Sequence, residues 1–387
     1  MKSKILIYTM IISKKEIYSA LFCFMLIFSW ILSNLGVHFY VVLNMIIALA
    51  YLSGYTKGVI GRETLIFLMS FLFIMFGLYK VPKDIFDQTA YIASILYCFS
   101  GIFAIRVYLS FSDKDRERAL TYILYLFVLV MLLQQLTFIA TGVYLDFHSL
   151  VTFFKYESRF GNNFTFLGPL IRPTLFFQEP SNCAIVIYVL SFLAYLNGNK
   201  KLCTRFLILS VFTFSFVAVF MAICLLAHLL ISRIKYVKNV YYLLFILIPF
   251  VIPVLIGLFE NINFGYNAIG YRLVIFKALT EATIFEKLFG FGLFFIQEPI
   301  TLYGMKLNSS HFKDTGFLIN ILASSGAVGL TFLLGWLKKI SINNVIFVFV
   351  LAILMTKIDF NTPALWIVLY GLYFYSKPIS NRISLNY

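Results

Sequence analysis

The sequence predicts an all-α integral membrane protein, a polytopic helical bundle that forms a single domain over residues 1–387. Of these residues, 61% are hydrophobic and only 12% are charged, which leaves too little polar surface for a soluble globular protein. The mean hydropathy is +0.93. Several apolar runs reach the roughly 20 residues that cross the hydrocarbon core as a helix. Because these runs are continuous rather than alternating, they exclude a membrane β-barrel.

Apolar runs separated by charged or turn-forming residues predict the membrane spans. In chain order they lie near 17–33, 37–53, 64–79, 88–108, 119–141, 181–196, 240–258, 315–336, 343–357 and 363–376. A further run over 206–231 is too long for one comfortable span and short for two. The N-terminal residues carry lysines on both sides of a short apolar piece, which predicts an interfacial lead-in and not a signal peptide.

Basic residues on both sides of the 206–231 run decide the predicted topology. They are Lys200, Lys201 and Arg205 before it, and Arg233, Lys235 and Lys238 after it. Both flanks belong in the cytoplasm by the positive-inside rule, so we expect two short helices or a re-entrant pair, broken near Thr213–Ser215. The chain then crosses the membrane about twelve times, with both termini cytoplasmic. About 20 of the 31 lysines and arginines lie inside.

Two long connections, residues 142–180 and 259–314, fall on the non-cytoplasmic face in this topology. Loops of this length in a compact bundle are usually functional or disordered, and their many aromatic residues favour order. The formal net charge of +15 comes mostly from short links between spans, which indicates a topological role and not nucleic-acid binding. The five cysteines lack paired spacing and predict small buried hydrophobic residues, with no metal site and no disulfide framework.

The first loop ends in charged residues at the boundary of a predicted membrane helix. Pro173 forbids helical backbone at Arg172, which predicts an extended segment there. Pro180 suits the first helical position and leaves Glu179 immediately before the helix. Arg159 lies upstream in the same loop. The plain alternative makes Arg172 a membrane anchor and Glu179 a helix-end carboxylate.

The second loop carries a further arginine and a histidine–aspartate pair. The pattern from Tyr271 onward predicts a helix on the membrane surface with Arg272 at its start. A Gly-Phe-Gly turn at 290–292 ends this segment and allows a close approach. His311 and Asp314 are three positions apart and share one face if a helix begins there. Histidine exchanges protons near neutral pH without special tuning, although a plain headgroup histidine is the alternative.

Three arginines, one glutamate and the histidine–aspartate pair therefore converge on one face. The planar guanidinium suits phosphate and diphosphate oxygens, and two or three together suit a diphosphate better than a single carboxylate. Aromatic side chains of the first loop provide a platform for sugar rings in one reading and simple loop packing in another. They are Phe154, Tyr156, Phe160 and Phe166.

Several short motifs resemble the O-antigen polymerase (Wzy) family and the related O-antigen ligases. These are R-P-T-x-F-F-x-E-P-S before a membrane helix, Tyr271–Arg272 followed by L-F-G-F-G, H-x-x-D-x-G, and a span containing S-G-A-V-G-L. The resemblance covers the whole chain in arrangement and about 60 residues in motif. The arginine-x10-glycine repeat described for some polymerases is absent.

The resemblance implies glycosyl transfer at the periplasmic face of the bacterial inner membrane. The growing glycan on undecaprenyl diphosphate moves onto the nonreducing end of another lipid-linked oligosaccharide repeat unit. Arg172 and Arg272 then hold the diphosphate, with Arg159 as an accessory contact. His311 is the base for the acceptor hydroxyl with Asp314 orienting it, and Glu179 is the competing base.

The same resemblance implies no cofactor, no metal and no nucleotide sugar, and a polysaccharide chain-length regulator as a further candidate partner. A ligase that transfers glycan to lipid A–core is the nearest alternative. The E-P-S motif and the D-x-G after the histidine favour the polymerase. A transporter or flippase for the same lipid-linked glycan is the alternative from another class, and it predicts ionisable residues along a path through the bundle.

Overall fold

The computed structural model shows a bundle of α-helices with one short β-hairpin in its described part. It describes residues 14–35, 37–53, 88–159, 170–215, 218–219, 221–222, 225, 278–279, 281–291, 300–302, 305–307, 315–360 and 362–376.

The helices in chain order are α1 (Lys14–Ser33), α2 (His38–Ser53), α3 (Gln88–Ser110), α4 (Asp113–Thr141), α5 (Phe147–Val151), α6 (Pro180–Leu196), α7 (Lys200–Val211), α8 (Ile284–Phe289), α9 (Phe317–Ile340), α10 (Asn344–Leu354) and α11 (Pro363–Tyr375). Two antiparallel strands, β1 (Ile300–Leu302) and β2 (Met305–Leu307), pair with Thr301 opposite Lys306. This hairpin lies in the second long loop and departs from the purely helical prediction.

Turn and capping residues set the helix boundaries. The Ser112 side chain accepts a hydrogen bond from the Asp115 backbone and begins α4, and Gly142 ends that helix in the left-handed conformation at φ 71°. Pro180 occupies the first turn of α6, as the sequence predicts, since its missing N–H needs no partner there. Asn199 caps α7 by accepting from the Leu202 backbone.

The core of the bundle lies around α6 and α11, which are apolar on all sides. Nearly every residue of α6 from Pro180 to Ala194 is buried, as expected for a central helix. It contacts α7, α10 and α11, while α11 also packs against α3. Helix α1 packs against α2, α3 and α4. Because Glu179 immediately precedes the central helix, the residues around it lie at one end of the core.

Contacts between loops define that end, which we call the site end. The Asn34 side chain, in the α1–α2 connection, accepts from the backbone of Ala364 at the start of α11 over 3.0 Å. The Tyr40 hydroxyl, near the start of α2, donates to the carbonyl of Val151 over 2.5 Å. The first long loop therefore shares this end with the α1–α2 and α10–α11 connections.

A polar network closes the opposite end of the bundle. The Tyr375 hydroxyl donates to the Asn197 side chain over 3.0 Å and accepts from Arg116 over 3.1 Å. Asn199 donates to Glu117 over 2.7 Å. The basic residues that open α7 consequently lie at the end remote from Glu179.

The predicted fold class, a bundle of apolar α-helices, is confirmed. Among the described residues, three helices are long and apolar enough to cross a membrane, namely α3, α4 and α9. Five shorter apolar helices accompany them there, namely α1, α2, α6, α10 and α11. All eight coincide with predicted spans, but α10 ends at Leu354 instead of continuing to 357. The predicted spans near 64–79 and 240–258 lie outside the described residues.

The predicted break in the 206–231 run is confirmed. Helix α7 ends at Val211, and Phe214 adopts a positive φ of 48°. The Thr213 hydroxyl donates to the Ser210 carbonyl and accepts from the Ser215 backbone. These local bonds compete with helical hydrogen bonding, and so the chain turns here without proline or glycine.

Helix α9 contains an unpredicted break at Gly326. Its backbone there has φ 65° and ψ −167°, outside helical geometry. The turn at Gly290, just after α8, packs against this break, and the Phe291 backbone N–H donates to the Ala323 carbonyl over 2.8 Å. The second loop thus supplies a backbone hydrogen bond to a broken membrane-type helix.

Both positions require glycine because two backbones meet there. A Cβ atom on Gly290 would lie 2.4 Å from the carbonyl carbon of Ser324. A Cβ atom on Gly326 would lie 2.4 Å from the carbonyl group of Leu288. The close approach predicted for the Gly-Phe-Gly turn is therefore real at Gly290, and its partner is the backbone of α9.

Candidate functional site

The first long loop folds back on itself through Asp146. One carboxylate oxygen accepts from the Ser149 backbone over 3.0 Å and caps α5, and the other accepts from the Ser158 backbone over 2.8 Å. The next residue, Arg159, donates its backbone N–H to the Gln178 carbonyl over 2.6 Å. These bonds bring the two ends of the loop, and with them Arg159 and Glu179, side by side.

Two adjacent glutamines of α4 hold the segment that carries Arg172. Gln135 accepts from the Ile171 backbone N–H over 3.2 Å and donates to the Ile171 carbonyl over 2.7 Å. The buried Gln134 does the same for Leu175, over 3.1 Å and 3.3 Å. Each amide satisfies both backbone groups of one residue, so Arg172 lies outside any helix and between two fixed points.

Tyr144 adds a third contact to this segment. Its hydroxyl is 2.7 Å from the Thr174 side-chain oxygen and accepts from the Thr174 backbone N–H over 3.1 Å. The pKa of Tyr144 is raised to about 12, because burial raises it more than the hydrogen bonds to Thr174 lower it. The phenol therefore stays neutral at physiological pH. Since Tyr144 and the glutamines are all remote in sequence from 171–175, the segment is positioned by tertiary contacts.

Glu179 stands at the start of α6 but does not cap it. Its backbone is extended at φ −129° and ψ 147°, and its side chain makes no capping hydrogen bond. Its Oε1 accepts from Arg159 Nη1 over 3.2 Å. Its Oε2 accepts from Lys357 Nζ and from the Ser181 hydroxyl, both over 3.2 Å. The carboxylate therefore bridges two cations from distant parts of the chain.

These side chains differ in exposure. Lys357 is 15% exposed and Glu179 is 21% exposed, whereas Arg159 is 65% exposed. An exposed ion pair contributes little to the free energy of unfolding, whereas removing one member of a largely buried pair is strongly destabilising. Glu179–Lys357 is thus the structural pair, and Arg159 reaches toward solvent.

Arg172 belongs to the same electrostatic group. Burial lowers the pKa of its guanidinium, and the nearby Glu179 carboxylate opposes that effect. The guanidinium is always protonated at physiological pH, so it stays cationic. The cluster of Arg159, Arg172, Lys357 and Glu179, called the cationic cluster below, has three positive groups and one negative group. Positive groups outnumber negative ones among these four side chains, a composition that suits an anionic ligand.

The structure brings together three of the predicted site residues, Arg159, Arg172 and Glu179. The other three, Arg272, His311 and Asp314, lie outside the described residues. Lys357 is a member of the cluster that sequence reasoning did not select. Its signal was a lone lysine between two apolar runs, on the same predicted face as Arg172.

Two of the four predicted loop aromatics are described by the structure, and neither is packed in the loop. Phe154 and Tyr156 are both exposed, which makes loop packing the wrong account for these two residues. Phe160 and Phe166 lie outside the described residues. His148 in the same loop is buried, with its Nδ1 2.9 Å from the Phe176 carbonyl, and holds α5 against the 170–179 segment.

Side chains that could bind a metal ion do not cluster in the part of the chain that the structure describes, where no group of three His, Cys, Asp or Glu residues is found. The predicted absence of a metal stays a prediction. Four of the five cysteines lie in described helices, where all are buried and unbridged, as predicted. They are Cys23, Cys98, Cys183 and Cys203.

We expect Gln134→Leu to lower the free energy of unfolding by about 3 kcal/mol or more, since an unsatisfied buried group costs about 1–3 kcal/mol. The substitution removes the partner of both Leu175 backbone groups and of the Leu145 carbonyl. Thermal unfolding in detergent measures the loss. Leu136→Ala, on the exposed face of the same helix, is the control and should change stability little. Equal midpoints for the two variants would contradict the predicted role of Gln134.

Comparison with protein-family models, with curated proteins and with solved structures finds no match to this chain. Fold and site together define its class: a helical membrane protein with a cationic cluster at one end of its central helix.

Proposed function

We propose that the chain is a membrane glycosyltransferase of the O-antigen polymerase type, acting on undecaprenyl diphosphate-linked glycan. The cationic cluster at the start of the central helix is the observation that carries this proposal. In the proposed topology the chain crosses the bacterial inner membrane about twelve times with cytoplasmic termini. The site end then faces the periplasm.

A diphosphate matches the cluster in charge and shape. Arg159 and Arg172 each offer a planar fork of N–H donors, and Lys357 adds a point charge. Glu179 is the negative group that interacts with these three cations, so the cluster is richer in positive than in negative side chains. The cluster also lies beside the end of a buried apolar helix, where the headgroup of a membrane-anchored substrate would be located. A soluble nucleotide sugar would not require a binding site at the end of a membrane helix.

Glu179 acts in this proposal as a positioning residue. Both of its oxygens already accept hydrogen bonds from cations or Ser181. It therefore holds Lys357 and Arg159 in place before the substrate binds, which reduces the reorganisation needed at the reaction centre. The competing role of Glu179 as general base is less well supported by this geometry, and His311 with Asp314 is retained as the proposed base.

The proposed reaction is a substitution at the anomeric carbon of the donor glycan. A hydroxyl at the nonreducing end of the acceptor attacks this carbon as the bond to the diphosphate oxygen breaks. Undecaprenyl diphosphate leaves with the bonding electron pair on its terminal phosphate oxygen, and the proton of the acceptor hydroxyl passes to the base. The cationic cluster stabilises the charge that develops on the leaving group.

The positions of ionisable residues support an enzyme over a transporter. Within the described helices, every acidic, basic or histidine side chain lies in the first or last six residues of its helix. A proton- or ion-coupled path requires such groups facing each other at mid-depth. The described part of the bundle instead concentrates its charges at the ends.

We expect Arg172→Ala to abolish the long-chain O-antigen ladder in cells that depend on this gene, because the diphosphate loses a charged donor. Lipopolysaccharide gels measure the ladder, and a dead polymerase leaves a single repeat unit on the core. Lys155→Ala is the control, since this exposed lysine of the same loop lies over the Tyr156 ring and outside the cluster.

Protein levels of both variants are compared by immunoblot. Loss of every attached O-antigen band would indicate a ligase instead of a polymerase. An unchanged ladder in Arg172→Ala at a normal protein level would contradict the proposed function.

A further inference from the structure

The turn after α5 presents two phenylalanines outward, and we call Phe153 and Phe154 the aromatic turn. Phe153 is 72% exposed and Phe154 is 75% exposed. Both have a positive φ, of 55° and 60°, in the region that residues with a Cβ rarely adopt. Strain of this kind persists only where the surroundings enforce it, and it concentrates at functional positions. Because neither ring is buried within the chain, the benefit must come from a partner outside it.

The surroundings do enforce this conformation. The buried Thr152 hydroxyl donates to the His148 carbonyl over 2.8 Å, and the Phe154 backbone N–H donates to the Ser149 carbonyl over 2.7 Å. Helix α5 is itself fixed by the bond from Tyr40 to Val151. The aromatic turn is thus a preorganised projection at the site end.

The helix that precedes the first long loop, α4, also has an exposed apolar side. Along α4 and just beyond it, exposed apolar residues recur every three or four positions on one side, as on a helix that faces lipid. They are Tyr125, Leu129, Leu132, Leu136, Ile139 and Val143. Leu150, also exposed, lies between Val143 and the aromatic turn in the chain. Exposed apolar side chains therefore follow α4 in the chain as far as the aromatic turn.

We propose that the aromatic turn inserts into the lipid bilayer at the boundary between headgroups and acyl chains. Phenylalanine and leucine on a short interfacial element bury apolar area there. Val143 and Leu150, exposed in the same loop, are aliphatic and cannot stack on sugar rings, which favours lipid over glycan. Insertion fixes the first loop at the height of the headgroups, where Arg159 lies five residues further along. This inference does not depend on the proposed glycosyltransferase activity.

A spin label measures the depth of the aromatic turn directly. The label is attached to Phe154→Cys, and to Glu157→Cys as the control, in protein reconstituted into phosphatidylethanolamine–phosphatidylglycerol bilayers. Glu157 is exposed three residues away. The wild-type protein, whose described cysteines are all buried, gives the background. We expect oxygen to relax the label at 154 more than a water-soluble nickel chelate does, and the reverse at 157.

Equal access of the nickel chelate to both labels would overturn the inference. If the label at 154 is accessible to the nickel chelate and added surface polysaccharide reduces that access, the partner of the aromatic turn is a glycan and the inference of lipid insertion is wrong. A second measurement places the label on Leu150→Cys, with and without Phe153→Asn and Phe154→Asn. Asparagine tolerates the left-handed backbone, so the turn should persist without its anchor. The label at 150 should then become more accessible to the chelate, and no change would also contradict insertion.

Discussion

Glu179→Ala is expected to destabilise the protein by about 3 kcal/mol, because breaking a buried ion pair leaves an uncompensated charge. Lys357 is largely buried and donates to the Glu179 carboxylate over 3.2 Å. The exposed partner Arg159 gains little from the same carboxylate, so Arg159→Ala should cost about 1 kcal/mol or less. Thermal unfolding of the two purified variants in detergent compares these losses.

The double variant Glu179→Ala/Lys357→Met separates stability from function. Replacing both members of a buried ion pair by apolar residues is often neutral or stabilising, so the double variant should recover most of the lost stability. It should still fail to restore the O-antigen ladder, since a cation of the cluster is missing. A single Glu179→Ala variant as stable as Arg159→Ala would show that the pair is not the structural element inferred above.

Gly326→Ala is expected to cost about 3 kcal/mol or more, and it tests the junction between α8 and α9. At φ 65° and ψ −167° the backbone lies in a region open essentially to glycine alone, which costs other residues about 1–3 kcal/mol. The new methyl group would also lie 2.4 Å from the Leu288 backbone, which has no side-chain freedom to move away.

Gly335→Ala provides a matched control in the same helix. A Cβ atom there meets nothing within 4 Å, and alanine is favoured over glycine inside a helix by about 0.5–1 kcal/mol. The midpoint of thermal unfolding should therefore fall for Gly326→Ala and stay equal or rise for Gly335→Ala. A Gly326→Ala variant with wild-type stability would mean that α9 runs straight through this position.

Local signals in the sequence were sufficient for the helices and their punctuation. Pro180 placed the start of α6 and left Glu179 on extended backbone, and Pro173 kept Arg172 out of a helix. The Thr213–Ser215 break followed from the charge on both sides of the run. The two proline features depend on residues close together in the chain, where steric preferences act directly, whereas the break followed from the positive-inside rule applied to both flanks.

Tertiary contacts were beyond such reasoning. Glu179 and Lys357 are separated by 178 positions, and a single sequence contains no sign of their pairing. Gln134 and Gln135 were visible as two amides inside an apolar run, an expensive placement that indicates a specific partner in membrane helices. The identity of that partner, the backbone of 171–175, follows only from the fold. The break at Gly326 likewise depends on the approach of Gly290 from another segment.

In the proposed function, the cationic cluster binds the diphosphate of a polyprenyl-linked substrate. Purified protein in lipid nanodiscs is titrated with undecaprenyl diphosphate, undecaprenyl monophosphate and undecaprenol, for wild type, Arg172→Ala, Lys357→Ala and Lys155→Ala. We expect the diphosphate to bind most tightly, and Arg172→Ala and Lys357→Ala to weaken it about tenfold or more, since a hydrogen bond to a charged group contributes about 1.5–3 kcal/mol. Lys155→Ala should bind like wild type. Equal affinity for undecaprenol and the diphosphate, or equal affinity in all four proteins, would contradict the claim.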